Sequence, residues 1–302
     1  VTQERAAGGA CPLCGGADFA PSRFGLLACG GCGLIVAPSV WRPSENEALN
    51  RAFFGDGYEP VTSFWVRRFE TANNLRTLRR LPPGGGRLLE IGVGSGSFLA
   101  AAAARGYAAV GCDLSPEICA RVAARTGLAV HCGGPDAVPG AEPFDAVVMN
   151  HVLEHAADPL ALLRAARARL KPGGVLHLAV PNVAAPEARL AGWNSYEPYH
   201  LLFFTPETAR RAAEAAGFEG CVVTTHESFS GWFLAILRSA LRRGPERPAP
   251  RARAGAAGAL EHAYRLAMIL CGAASWPLRK IQERLGMGDE VVVLARSSAH
   301  AS

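Results

Sequence analysis

Leu88-Leu89-Glu90-Ile91-Gly92-Val93-Gly94-Ser95-Gly96-Ser97-Phe98 is the stretch on which the fold reading turns. A short apolar run ends in three glycines at alternate positions, and a helical pattern (Phe98–Arg105) begins at once. Without a Cβ, such a turn lets a ligand come close to the backbone. The amides at the start of the next helix then point at that ligand. In open α/β sheets the carboxyl end of the first strand is where nucleotides bind. The dinucleotide fingerprint G-x-G-x-x-G would need its third glycine at position 97, where this chain has Ser97.

Working outward, the runs RLLEIG, AAVGCD, LAVHC, FDAVVMN and GVLHLAVPN read as buried strands, separated by Ala/Leu/Arg-rich helical stretches such as Pro159–Leu170. Thr205–Gly217 reads as a further helix, Gly220–Thr225 as a sixth strand and EVVVLARSS as a seventh. The alternation predicts an α/β fold: a doubly wound, mostly parallel seven-stranded sheet. The expected organisation is a cysteine-rich segment over 1–38, then a helical linker or lid over 39–83 with a helix at Phe64–Leu81. A ligand-binding core over 84–227 follows, then a basic and apolar helical insertion over 228–288, and a final strand and tail over 289–302.

The spacing E-x-G-x-G-x-G resembles the first motif of class I methyltransferases that use S-adenosylmethionine (SAM). The resemblance continues in order through Asp113 at the end of the second strand, PFDAVVMNHVLEH and LKPGGVLHLAVPN. It implies a SAM site built from Gly92, Gly94 and Gly96, with Asp113 on the ribose hydroxyls and Leu114 beside it. Glu90, Asn150 and His151 would lie near the methionyl end, and Asp136, in the loop after the third strand, near the adenine.

Cys11-Pro12-Leu13-Cys14 and Cys29-Gly30-Gly31-Cys32 are separated by fourteen residues. Two such knuckles can place four thiolates tetrahedrally around a structural Zn2+, leaving no open position for catalysis. The other five cysteines (Cys112, Cys119, Cys132, Cys221, Cys271) fall in apolar stretches and read as small core residues. His151-Val152-Leu153-Glu154-His155 matches the H-x-x-E-H pattern of some zinc peptidases. It directly follows a strand of the ordered methyltransferase pattern and lacks an evident distal carboxylate, so it is read as a cofactor-bordering loop. Ribbon, aromatic linker, SAM core, HLLFFTPET and terminal GDEVVVLAR together resemble bacterial zinc-ribbon methyltransferases of sugar, polysaccharide or secondary-metabolite pathways. The sugar C-methyltransferases among these have longer metal-binding and C-terminal regions.

The chain has 302 residues, 49% apolar and 19% charged, which describes a globular protein. No apolar run is long enough to span a bilayer and the N-terminus lacks a signal-peptide pattern, so a cytoplasmic location is expected. The net charge is +5, and Ser228–Leu285 holds ten Lys/Arg against three Glu, or +7, which leaves about −2 for the rest. That cationic, apolar insertion is read as a lid over an anionic or lipid-linked substrate, a peripheral membrane contact, or a homodimer element. Trp232–Leu241 and Leu260–Leu285, the latter with a break or kink at Pro277, read as its helices.

The rim after the fifth strand, WNSYEPYHLLFFT, offers Tyr196, Tyr199 and His200, while Phe203 and Phe204 read as packing residues. His200 is the candidate base, with His151 next and Tyr199 beside them. A small-molecule acceptor is the expected partner, methylated by in-line displacement. Two other readings stay open: an RNA methyltransferase, and a non-catalytic SAM-binding scaffold. Against nucleic acid, Arg23 is the single basic side chain between Gly8 and Pro38.

Overall fold

The computed structural model describes residues 9–42, 64–193, 195–227 and 274–298, together with positions 44–45, 232, 235–236, 239–240 and 270. Most of the insertion, and with it the membrane and dimer expectations, lies outside the described residues. Among the described residues no helix is long and apolar enough to cross a membrane.

The seven core strands are β4 (Gly86–Ile91), β5 (Tyr107–Asp113), β6 (Ala129–Cys132), β7 (Phe144–Asn150), β8 (Leu170–Pro181), β10 (Phe218–His226) and β11 (Glu290–Ser297). They lie in the order β10-β11-β8-β7-β4-β5-β6. The pairs β4–β5, β4–β7, β5–β6 and β7–β8 are parallel, whereas β11 runs antiparallel to both β8 and β10. The expected seven strands and mostly parallel sheet are therefore observed.

Successive strand residues point to opposite faces, and each face has its own core. Leu89, Val147 and Leu176 belong to one apolar cluster with α4 (Pro159–Ala168) and α5 (Pro206–Ala215). Leu88, Val148 and Val175 belong to the other, under α1 (Phe64–Leu78), α2 (Ser97–Ala103) and α3 (Pro116–Thr126). Because both faces are covered, the strands read as continuous apolar runs rather than alternating ones. Helix starts follow side-chain chemistry: Ser115, Asp158 and Thr205 each accept a backbone N–H at the cap, with proline in the first turn. The remaining helix is α6 (Trp276–Arg284). Position 274 is still helical, Ser275 is a turn, and Pro277 stands in the first turn of α6, where a residue without an amide donor fits best; the break expected near Pro277 is observed there.

The cysteine segment forms β1 (Phe19–Pro21), β2 (Leu27–Cys29) and β3 (Ile35–Val36), an antiparallel ribbon. Its last strand pairs with β9 (Leu202–Phe203), which lies just after His200: Ile35 faces Phe203 and Val36 faces Leu202. Ala37 also donates to the Leu201 carbonyl at 2.8 Å, and Arg23 Nη1 to the Ala188 carbonyl at 3.2 Å. The sequence reading placed both phenylalanines under the next helix. Phe204 does join the main core, but Phe203 packs with Leu26, Val183, Ala188 and Trp193 at the ribbon seam. One apolar cluster runs from Cys11, Leu34 and Val36 into Leu201, Phe204 and the sheet.

Phe203 is 4% exposed. Truncation to alanine is expected to cost about 3–5 kcal/mol, the usual range for a buried phenylalanine. Denaturant unfolding of Phe203→Ala checks this, and an unchanged midpoint would show that the seam does not hold the ribbon.

Candidate active site

The carboxyl ends of β4, β5, β7 and β8 open into a cavity of about 970 Å3. One half is built by the glycine turn. Gly92 has φ +77°, and a Cβ there would come 2.4 Å from Val152 Cγ2. Gly94 has φ +46°, and a Cβ added there would meet nothing within 4 Å, so its backbone faces open cavity. Its amide reaches Asp113 Oδ2 at 3.3 Å, and Ser115 N reaches Oδ1 at 3.0 Å. Asp113 is thus held on the cavity wall, its pKa raised by burial despite those amides. Leu114 beside it is 80% exposed, an apolar side chain projecting at the cavity edge.

Glu90 is buried at the base of the turn, where burial and the nearby Asp113 carboxylate push its pKa well above the usual value. Its Oε2 has no hydrogen-bond partner and the residue lines the cavity. Of the sequence-predicted cofactor residues, Glu90, Gly92, Gly94, Asp113, Leu114, Asn150 and His151 all line the cavity. Gly96 sits behind it: a Cβ there would meet Val122 Cγ1 at 2.5 Å, so its task is α2–α3 packing. Asp136 is exposed on the 3-10 turn Pro135–Ala137, outside the lining; Gly133 and Gly134 form the wall there.

The other half is built from the turn after β7 and the rim before β9. His151 has φ +55°, a conformation costing about 1–3 kcal/mol for a non-glycine residue. It is anchored by Glu290 Oε1, 2.9 Å from Nε2, and by Glu154 Oε1, 3.4 Å from Nδ1. Desolvation in the cavity opposes its charge, yet the two carboxylates outweigh that and raise its pKa well above the ordinary value. Glu154 is fully buried; burial would raise its pKa, but His151, His155 and His200 bring it to about 2. His151 is accordingly a charged partner rather than a free base.

His200 and Tyr199 also line the cavity, with His155 between them. His155 stacks on Tyr199 at 5.5 Å between centroids and meets His200 edge-on at 4.7 Å. His200 Nδ1 lies 2.7 Å from the Ser195 carbonyl, which assigns the proton to Nδ1 and leaves Nε2 an acceptor. Burial lowers its pKa to about 4. Tyr196 is not part of this group. Its hydroxyl donates to the Ala188 carbonyl at 2.6 Å and its ring packs on Phe24, Trp193 and Phe203.

Sequence reasoning missed Asn73, Asn74, Arg76 and Arg80 of α1 and the turn after it, and His177 and Glu290 from the sheet, all of which line the cavity. Asn74 Nδ2 donates to Ser97 Oγ at 3.2 Å, seating α1 over the glycine turn. Arg80 donates to His226 Nε2, and His226 Nδ1 to Glu283 Oε1 at 3.0 Å. No signal in the α1 sequence marks these residues, because a polar helix face looks the same over solvent and over a cavity. His177 was hidden in an apolar run and is 1% exposed with neither ring nitrogen partnered.

Residues 65–223, or 159 of the 302, match the family described as a methyltransferase domain. The chain belongs to that family. Over 176 residues this methyltransferase chain is 35% identical to the ubiquinone biosynthesis O-methyltransferase of Dinoroseobacter shibae, a match covering 53% of the chain and 71% of the relative. Over 102 residues it is 39% identical to the protein of the same name from Cereibacter sphaeroides strain ATCC 17025, covering 32% of the chain and 41% of the relative. The methyltransferase chain thus spans less than half the length of the first curated relatives it matches. A SAM-dependent methyltransferase structure from Archaeoglobus fulgidus superimposes with a TM-score of 0.51 at 17% identity, over 83% of the chain and 98% of the other. One from Thermotoga maritima gives 0.50 at 21%, over 86% and 98%. At these identities the structures show the shared methyltransferase fold.

His177 shares the depressed pKa of His200: burial lowers it to about 4, with the Arg80 charge adding to the effect and Glu290 opposing it. A histidine whose folded pKa lies below the unfolded value stays neutral while the unfolded chain binds the proton. Stability is then full above about pH 6.5 and falls as pH drops towards 4, at up to about 1.4 kcal/mol per pH unit for one such group. His177→Gln is expected to flatten that fall in denaturant unfolding between pH 7 and 4. An identical slope in the variant would mean that His177 titrates normally.

Proposed function

We propose that this chain transfers a methyl group from SAM to an oxygen of a small-molecule acceptor, and that its cysteine ribbon holds one structural zinc ion. The carrying observation is that a glycine turn with two carboxylates and a set of neutral aromatic and imidazole groups share one cavity.

The first half of the cavity fits the cofactor. Asp113 would hold the ribose hydroxyls, Leu114 offers an apolar face for the adenine, and the orphaned Glu90 Oε2 would receive the ammonium group. When bound, SAM supplies an electrophilic methyl on a sulfonium. The second half supplies what an oxygen acceptor needs. His200, which lines the cavity with Nε2 unprotonated at neutral pH, would accept the hydroxyl proton. Tyr199 and His155 present ring faces and edges that would orient a planar acceptor. Arg76 and Arg80 bring positive charge to the wall formed by α1 and the turn after it, which suits an acceptor or cofactor group carrying negative charge. An oxygen acceptor is also what the names of the ubiquinone O-methyltransferase relatives suggest.

The ribbon fits zinc on its own geometry. Cys11 Sγ lies 3.6 Å from Cys32 Sγ, and Cys14 Sγ 3.5 Å from Cys29 Sγ, with all four within 4.8 Å. A tetrahedron of Zn–S bonds near 2.3 Å has sulfur–sulfur edges of about 3.8 Å. Four thiolates would close the coordination sphere, so zinc would stabilise the ribbon and take no part in the reaction.

Calorimetric titration with S-adenosylhomocysteine is expected to give one site per chain, weakened about 10–100-fold in Asp113→Ala, as for loss of hydrogen bonds to a charged group. Absence of binding by the folded protein would overturn the reading. With labelled SAM and phenolic acceptors, His200→Gln should lower kcat more than it raises KM; an unchanged kcat would remove His200 as the base. Metal analysis should find about one zinc per chain, lost from the Cys29→Ser/Cys32→Ser double variant. Retention of zinc by that variant would refute the ribbon site.

A further inference from the structure

A second cluster of acids lies outside the cavity, where three strand ends converge. Glu187 stands on the 3-10 turn Pro186–Arg189 after β8, Glu227 directly follows β10, and Asp289 directly precedes β11. Each offers a carboxylate oxygen within 4.8 Å of the others. These are not solvated surface acids: Glu187 is 0% exposed and Glu227 8%. Neither oxygen of Glu227 has a hydrogen-bond partner, nor does Glu187 Oε1. Glu187 Oε2 accepts from Gln282 Nε2 at 2.8 Å.

The positive charge facing the group from α6 is Arg279, itself 7% exposed. Three carboxylates against one guanidinium leave an excess of negative charge in a desolvated place. Buried carboxylates are stable only when paired, protonated or bound to a metal.

The chain segments that carry the cluster are tied to one another. Asn182 Nδ2 donates to the Gly288 carbonyl at 2.6 Å, Asn182 N to the Asp289 carbonyl at 2.8 Å, and Gly288 N to Thr225 Oγ1 at 3.0 Å. The two chain segments beside it touch so closely that a Cβ on Gly288 would fall 2.3 Å from the His226 carbonyl oxygen. The backbone thus holds the chain segments that carry the acids close together.

We propose that Glu187, Glu227 and Asp289 bind a hard divalent cation of the calcium or magnesium kind, tying the ends of β8, β10 and β11 together. An all-oxygen set favours such ions over the thiophilic metal expected in the ribbon. The site is independent of the methyl-transfer reading, and it uses no residue of the cavity.

Terbium(III), a hard luminescent substitute for calcium, provides the test on the full chain. Trp232 Nε1 donates to Gln282 Oε1 at 2.9 Å, so this indole adjoins the site and should sensitise terbium emission. The expected result is saturable emission at one equivalent per chain, displaced by Ca2+ or Mg2+ below about 1 mM, the weak end of protein calcium sites. Glu227→Gln and Glu187→Gln should each weaken it at least about tenfold while leaving S-adenosylhomocysteine binding unchanged. Whichever of Ca2+ and Mg2+ displaces at lower concentration identifies the preferred ion. Emission that never saturates, resists both ions, or survives in Glu227→Gln would overturn the site. Should that variant fail to fold, Asp289→Asn and the calorimetric Ca2+ titration of the unmodified chain decide the same question, and no heat with no emission refutes it.

Discussion

The contact between Gly92 and Val152 joins the two halves of the cavity. Gly92 directly follows the first core strand and opens the glycine turn; Val152 sits in the loop between His151 and Glu154. A Cβ at position 92 would come within 2.4 Å of Val152 Cγ2, so the two segments meet as closely as they do only because glycine stands there. The Gly92 amide is meanwhile fixed by the Cys112 carbonyl at 2.8 Å. Through this one approach, the ends of β4, β5 and β7 are placed together before any ligand enters. Asp113 and Glu90 on one side and His151, Glu154 and His200 on the other are therefore in register by construction. Preorganisation of this kind is where a displacement reaction gains most, since positioning carries much of its barrier reduction.

That loop is held in an unfavourable conformation, and the reason is electrostatic. His151 adopts a left-handed φ that a non-glycine residue takes only when its surroundings impose it. Glu154 below it is fully buried. A buried carboxylate alone would be protonated, and a lone imidazolium in the cavity would lose its proton; each is charged because of the other. Glu290, arriving from the antiparallel strand β11, closes the set. The same arrangement separates the histidines by role. His151 lies between two carboxylates and carries charge, whereas His177 and His200 are desolvated and neutral. A single loop and its neighbours thus supply both a fixed cation and an unprotonated imidazole, and burial and partners decide which is which.

Much of this was legible in the sequence, and the physical basis is the same at each point. Central strands buried on both faces appear as unbroken apolar runs, and the part-exposed edge strands β6 and β10 were marked by shorter apolar pieces. Glycines at 92 and 94 have positive φ, which backbone geometry reserves for glycine, and the resemblance pointed to the acid at 113, which does line the cavity. What was not legible depends on tertiary distance. Arg76, Arg80 and Asn74 sit on a polar stretch whose chemistry looks ordinary until the helix is laid across the glycine turn. His177 looked like part of a strand. Asp136 followed the right strand, but a 3-10 turn carries it outward and leaves two glycines on the wall. Phe203 was read as a packing residue and Tyr196 as a rim residue of the site, since nothing local announces that a ribbon far upstream in the chain will pair with β9.

That pairing gives the ribbon a physical role that its distance from the chemistry would not suggest. β9 is two residues long; β3 pairs it on one side, and the Asn182–Phe204 bridge just after it ties the segment to the core. Its neighbours on the chain are Tyr199 and His200, and the seam holds their loop from the other side through Tyr196, Trp193 and Phe203. So short a strand relies on its pairing to hold one conformation. The wall of the cavity therefore borrows its rigidity from an element whose own core is too small to fold unaided and whose cysteines are spaced for a metal. Whatever fixes the four sulfurs also fixes β3; β3 fixes β9; and β9 sets where His200 Nε2 stands. A closed coordination sphere can in this way matter to the reaction through the backbone alone, without the metal touching a substrate.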